Sequence, residues 1–156
     1  MNSLYQLKDS SGNLGAPFYV TPLTVIPNGY TLVPYSPTLG EAQESQKDLI
    51  DSWRLAACHA DVSVSVGGVT YPFQADEKSQ KLLGNVITLN SAGITSAVPP
   101  VWRSSNNIDV PVTITDIVNI AIAIANQANT AYAHSFTLKA DVDAATTISA
   151  VQAVTW

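Results

Sequence analysis

VSVSVGGVTYPFQADEKSQKLL, residues 62–83, decides the fold. Val62, Val64 and Val66 alternate with Ser63 and Ser65, the period-two pattern of a half-buried strand. Gly67-Gly68 then signals a tight hairpin, and VTYPF is the return strand. Pro72 removes a backbone donor, so that strand belongs at an edge. Asp76 stands just before an apolar-periodic run and predicts the N-cap of a helix from about Glu77 to Asn90, with Leu82, Leu83, Val86 and Leu89 inward. Ser79 and Gln80 carry polar groups able to satisfy backbone at the corner. The two glycines have no following Lys, so they read as a bend and not as a phosphate loop.

Working outward, Leu49, Ile50, Trp53, Ala56, Ala57 and Ala60 recur at spacings of three and four, an amphipathic helix over Glu41 to Ala60. Downstream, a strand near Val101, a turn at Asn106-Asn107 and a strand over Ile108 to Ile114 are expected to extend the sheet of the first hairpin. Thr115 is expected to cap the longest helix, Asp116 to Lys139, with Asp116 favourable at its N-terminal dipole. Its seam is Ile117, Ile120, Ile124, Ala128, Ala131, Ser135 and Leu138. Asp141-Val142-Asp143 reads as the link to a final helix from about Thr147 to Val154, before the terminal Trp156.

Residues 1–40 have a different character. Pro17, Pro22, Pro27, Pro34 and Pro37 forbid a helix. The sequence predicts strand, polar turn near Gly12-Asn13, strand, then extended pieces around a Pro27-Asn28-Gly29 bend. This arm has no broad sheet to rest on in the sequence reading and must lean on something. The fold class is therefore α+β: a small antiparallel sheet packed by the long helix and the earlier amphipathic helix over 41–156, preceded by an extended N-terminal arm over 1–40.

Apolar residues make up 46% of the chain and charged residues 12%, against a usual charged share of about 25%. A surface rich in neutral polar residues suits a chain that lives in an assembly as well as an ordinary stable domain. With 7 basic against 12 acidic residues and no basic run, nucleic acid is a poor partner. The apolar run from Ile117 is too short to span a bilayer, so no membrane role is expected. The N-terminus lacks the pattern of a secretory signal, and the single Cys58 cannot form an intrachain disulfide. A reducing cytosol is the simplest setting.

Chemistry-bearing residues are sparse. Cys58 and His59 point about 100° apart on a helix and do not pair as nucleophile and base. Two histidines, His59 and His134, with one thiol fall short of a structural zinc set. No Gly-x-Ser-x-Gly elbow frames a serine. Asp141 and Asp143 read as caps in a turn rather than as ligands to a cation, and Trp53, Trp102 and Trp156 as core anchors rather than a sugar platform. No catalytic residue, cofactor or metal is expected.

The ordered set Gly68, Phe73, Ala75, Asp76, Ser79 and Gln80, then Trp102, Thr113 and Asp116, then His134, Leu138, Ala144, Ala145, Thr146 and Trp156 resembles an uncharacterised domain family of bacteriophage tail genes. In that family a Gly-x-x-Tyr/Phe-x-Ala/Thr-Asp-x-x-Ser-Gln type stretch follows the first helix, and a Trp-containing strand precedes a Thr-x-x-Asp helix start. The resemblance covers about residues 42–156. It implies a non-enzymatic tail-fibre assembly chaperone or fibre-bound accessory protein, with the fibre protein, in its distal region, as partner. It also implies residence in the host cytoplasm during assembly or retention in the virion tail. The expected contact surface is the arm, at Phe18, Tyr19, Tyr30 and Tyr35, because extended segments add to partner strand edges. A second reading is a tail or baseplate component that forms a homo-oligomer through the Ile117 to Leu138 seam, and a third is a carbohydrate-binding tip.

Overall fold

The structure, a computed structural model, describes residues 4–21 and 24–156. Pro22, one of the helix-forbidding prolines, lies outside the described residues. The chain separates into two compact units, one ending at Ala42 and one running from Gln43 to Trp156.

In the first unit, β1 (Leu4–Asp9), β2 (Phe18–Tyr19) and β3 (Tyr30–Pro34) form an antiparallel sheet of order β2-β1-β3. The segment expected to be an extended arm without a sheet to rest on thus builds a small sheet of its own. The reason is local. Asp9 accepts from the Ser11 and Asn13 N–H groups and from the Asn13 side chain, which closes the first turn, and these bonds hold its carboxyl below the usual range. The second turn is closed by the Tyr30 N–H donating to the Pro27 carbonyl at 3.2 Å. The sheet is nevertheless open: none of this unit's described residues is fully buried.

The second unit holds most of α1 (Leu39–His59), the hairpin β4 (Val62–Val66) and β5 (Val69–Phe73), α2 (Glu77–Ser91), the hairpin β6 (Val101–Arg103) and β7 (Asp109–Pro111), α3 (Ile114–Ala144) and α4 (Ile148–Gln152). The β4–β5 turn puts both Gly67 and Gly68 at positive φ, which side chains resist. Its register sets Val62, Val64 and Val66 opposite Phe73, Tyr71 and Val69, so the apolar residues share one face. Val62, Val66 and Phe73 join Ala75, Leu83, Val110, Ile117, Ile120 and Ile124 in one core. Leu82 and Leu89, expected inward, are exposed, because α2 turns only its Leu83, Val86 and Ile87 side to that core.

The two hairpins do not merge into the single sheet expected; they are separate two-stranded sheets. Besides the core they share, they are joined among the described residues by one backbone bond, Ser105 N–H to the Pro72 carbonyl at 2.9 Å. Pro72 has no N–H to return, so the ladder cannot continue through it. The second hairpin is also shorter than expected. Pro111 ends β7, and Thr113 is committed to the next helix.

That helix is capped by Thr113 and not by Thr115. The Thr113 hydroxyl receives the Asp116 N–H at 3.3 Å, and Asp116 receives the Thr113 N–H at 2.8 Å, a reciprocal capping box. The bonds from Thr113 hold the Asp116 carboxyl below its usual range. The helix also runs on past Lys139 through the expected link. Val142 is fully buried one turn after Leu138, and Lys47 pairs with Asp143 at 2.7 Å. The Asp141-Val142-Asp143 stretch is therefore the last turn of α3.

Residues of α1 meet α3 in antiparallel order. Gln43 donates to the Val142 carbonyl, Asp51 pairs with Lys139 at 2.7 Å, Arg54 lies 4.4 Å from the Tyr132 ring centroid, and Gln127 donates to the Ala60 carbonyl just beyond α1. Ile50, Cys58, Ala131, Leu138, Val142 and Val151 are buried along this half. One helix thus carries two packing regions, the hairpins and α2 on its first half, α1 and α4 on its second.

Candidate functional site

The residues singled out from the sequence fall around separate clefts. Asp76, Ser79 and Trp102 line a cleft of about 540 Å³ between the start of α2 and β6, with Gln74, Lys78 and Arg103. The Asp76 carboxylate accepts the Ser79 N–H at 2.8 Å, and that bond holds its carboxyl below the usual range. Gln80 turns back instead, donating to the Ala75 carbonyl at 2.7 Å. The corner of the opening sequence is thus a capped strand-to-helix junction whose outer wall is also a cleft wall. Trp102 packs against the core with part of its ring and shows the rest to this cleft.

His134 and Trp156 meet edge to face, ring centroids 4.7 Å apart, beside a cleft of about 420 Å³. Of the three tryptophans expected as core anchors, Trp102 packs against the core while half-buried, Trp53 is half-buried and Trp156 is 42% exposed. Asp116 borders a third cleft of about 330 Å³ beside Gly67, next to Gly68 in the hairpin turn. Phe73 is fully buried core.

Among the four arm aromatics expected to make the contact, Tyr19 and Tyr30 are 59% and 45% exposed, whereas Phe18 and Tyr35 are half-buried. Tyr35 is tied down by its N–H, which donates to the Leu4 carbonyl at 2.9 Å. Partial desolvation, followed by the neighbouring Glu41 carboxylate, raises its hydroxyl above the ordinary range. Leu14, Val20, Val25 and Ile26 add to the exposed apolar surface of this unit.

The shifted ionisable groups are accounted for by caps, turns and ion pairs. Lys139, and then Arg54, hold Asp51 below its usual range, Asp143 and Glu44 raise Lys47, and the Thr38 N–H and hydroxyl lower Glu41. Among the described residues no three His, Cys, Asp or Glu side chains gather as a metal set. The seam expected to mediate self-association is occupied within the chain: Ile117 and Ile120 are fully buried and Leu138 is 7% exposed. Sequence reasoning missed the α1–α3 ion pairs and the cations beside Trp102. Both depend on which turns face each other across the fold, and no local spacing carries that information.

A family model described as a domain of unknown function, DUF4376, matches residues 41–155. No curated protein and no solved structure matches the chain.

Proposed function

Because the chain belongs to the DUF4376 family, whose description assigns no activity, we propose its function from surface and sequence: it is a non-enzymatic assembly protein of a bacteriophage tail fibre, binding the fibre protein as a chaperone or accessory subunit. The observation that carries this reading is the N-terminal sheet without a core. It has ordered strands and paired turns, yet among its described residues none is buried, and Tyr19, Tyr30, Val25 and Leu14 stand exposed. An apolar surface of this kind marks a protein-contact site, and tyrosines are favoured anchors in such contacts. The resemblance of residues 42–156 to phage tail-gene domains supplies the class of partner.

The strands favour side-chain docking over long strand addition. The Tyr35 N–H to Leu4 carbonyl bond fixes the parity of the β1–β3 ladder, so among the described residues only Leu32 of β3 turns outward both an N–H and a carbonyl without a partner. Pro34 has no N–H, and that of Tyr30 is used in its turn. The aromatics therefore supply the contact, and β3 only orders them.

Co-expression with each tail-fibre protein of the same phage, followed by size-exclusion chromatography with light scattering, tests this. A fibre protein that is soluble only with this chain, in a complex lost on joint Tyr19→Ser and Tyr30→Ser substitution, is the expected result. A chain that forms a closed oligomer by itself and leaves every fibre protein unbound would instead identify a structural tail component.

A further inference from the structure

The cleft beside Trp102 has a property that an ordinary surface hollow lacks, namely a strand edge along one wall. Ser104 N–H donates to the Ile108 carbonyl at 2.9 Å and Val112 N–H to the Pro100 carbonyl at 3.3 Å. These bonds fix the parity of the β6–β7 ladder: even-numbered residues of β6 face β7, and Val101 and Arg103 turn their N–H and C=O groups the other way. On that side the Ser105 to Pro72 bond is the one backbone bond between the two hairpins among the described residues, and β5 and β6 form no ladder. Among the described residues the backbone groups of Val101 and Arg103 have no hydrogen-bond partner, and the cleft of about 540 Å³ opens beside them.

The lining of the cleft gives the chemistry. Leu82 is 46% and Val101 43% exposed, and with Pro99 and the Trp102 ring they form an apolar floor. Lys78 stands on the rim without an ion pair among the described residues, and the Arg103 guanidinium lies across from it, held at 3.0 Å by Asp109. Asp76, the acidic side chain lining the cleft, already serves as the helix cap. In a chain of net charge −5, an open strand edge with Lys78 beside it, unpaired among the described residues, suits an extended segment that carries a carboxylate.

We propose that the cleft between β6 and the start of α2 accepts an extended, acidic peptide strand, which pairs with the backbone of Val101 and Arg103, lays an apolar side chain on Trp102 and Leu82, and sets a carboxylate against Lys78. The site lies wholly within the second unit and does not depend on what the N-terminal sheet binds.

The test uses the full chain and a synthetic peptide alternating valine and glutamate, followed through the backbone amide resonances of Val101 and Arg103 and the indole N–H resonance of Trp102. Saturable shifts of both amides are expected. N-methylation of the peptide's pairing amides should weaken binding about tenfold, the loss of a hydrogen bond or more. Lys78→Glu should weaken it about fivefold, and lysine in place of glutamate in the peptide should do the same. Val101→Pro removes an outward donor that the β7 ladder does not use, so it should weaken binding while the thermal midpoint holds. Unmoved amides overturn the proposal, as does an N-methylated peptide that binds equally well. An oligosaccharide that shifts these resonances where the peptide does not would also overturn it. Peptide binding retained in the Tyr19→Ser, Tyr30→Ser variant, with fibre binding lost, separates this site from the N-terminal one.

Discussion

The two units of this chain solve opposite problems with similar parts. Each contains antiparallel strands, tight turns and a capped helix start, yet the second buries Phe73, Leu83, Ile117 and Ile120 completely, or nearly so, while the first buries none of its described residues. Burial of a large apolar side chain is worth about 1.5–3 kcal/mol, so stability resides overwhelmingly in the second unit. Turn hydrogen bonds around Asp9 and Pro27 shape the first unit without closing it. The contrast teaches that ordered strands do not by themselves make a self-sufficient domain; here they present a surface.

The contrast breaks most visibly if core truncations in the two units cost the same. Phe73→Ala should destabilise the second unit by about 3–5 kcal/mol in urea unfolding followed by circular dichroism. Phe18→Ala, in a half-buried position of the first unit, should leave that transition in place. Next in size is the capping box: Thr113→Ala should cost about 1 kcal/mol in the same measurement, and a loss near zero would mean that packing alone holds the start of α3.

A smaller effect is set by pH. Asp51, Asp76 and Asp116 all have lowered pKa values in the folded chain, through Lys139, the Ser79 N–H and Thr113 respectively. Their contribution is fully present above the unfolded carboxyl pKa of about 4 and is lost as pH falls through the lower folded values. The urea midpoint should therefore drop on acidification to about pH 3, and Asp51→Asn should flatten part of that drop. The smallest expected change in stability belongs to the joint Tyr19→Ser, Tyr30→Ser variant, within about 0.5 kcal/mol, because both rings are already exposed. A large loss there would show that these rings close a core of their own.

Much of the second unit was legible because its signals are local. Alternating valines, paired glycines, Asp76 before an apolar run and the three-four seam of α3 each specify structure within a few residues. The Thr113-x-x-Asp116 spacing was visible too, although Thr115, directly before Asp116 and in fact inside α3, drew the expected cap away from it. What was not legible was non-local. Asp143 looked like a linker residue until Lys47, far away in sequence, was placed beside it. Pro72 announced an edge, but that the second hairpin would meet it through a backbone bond from Ser105 without forming a ladder could not be read from either hairpin alone. The candidate cleft beside Trp102 lies along that unpaired edge, so Asp76, Ser79 and Trp102 were found individually and their neighbours Lys78 and Arg103 were not.

The 31 residues of α3 span roughly 46 Å, and both packing regions read the same rod from different sides of its midpoint. That makes the helix a phase reference. One residue inserted between Ile124 and Ala131 would rotate everything beyond it by about 100°, swinging Leu138 and Val142 away from α1 while Ile117 and Ile120 stay seated. Seven residues inserted at the same place would restore the angle to within about 20° and would instead slide the second half along its axis. The midpoint of α3 carries few buried side chains, but its length in residues is held as tightly as any core position.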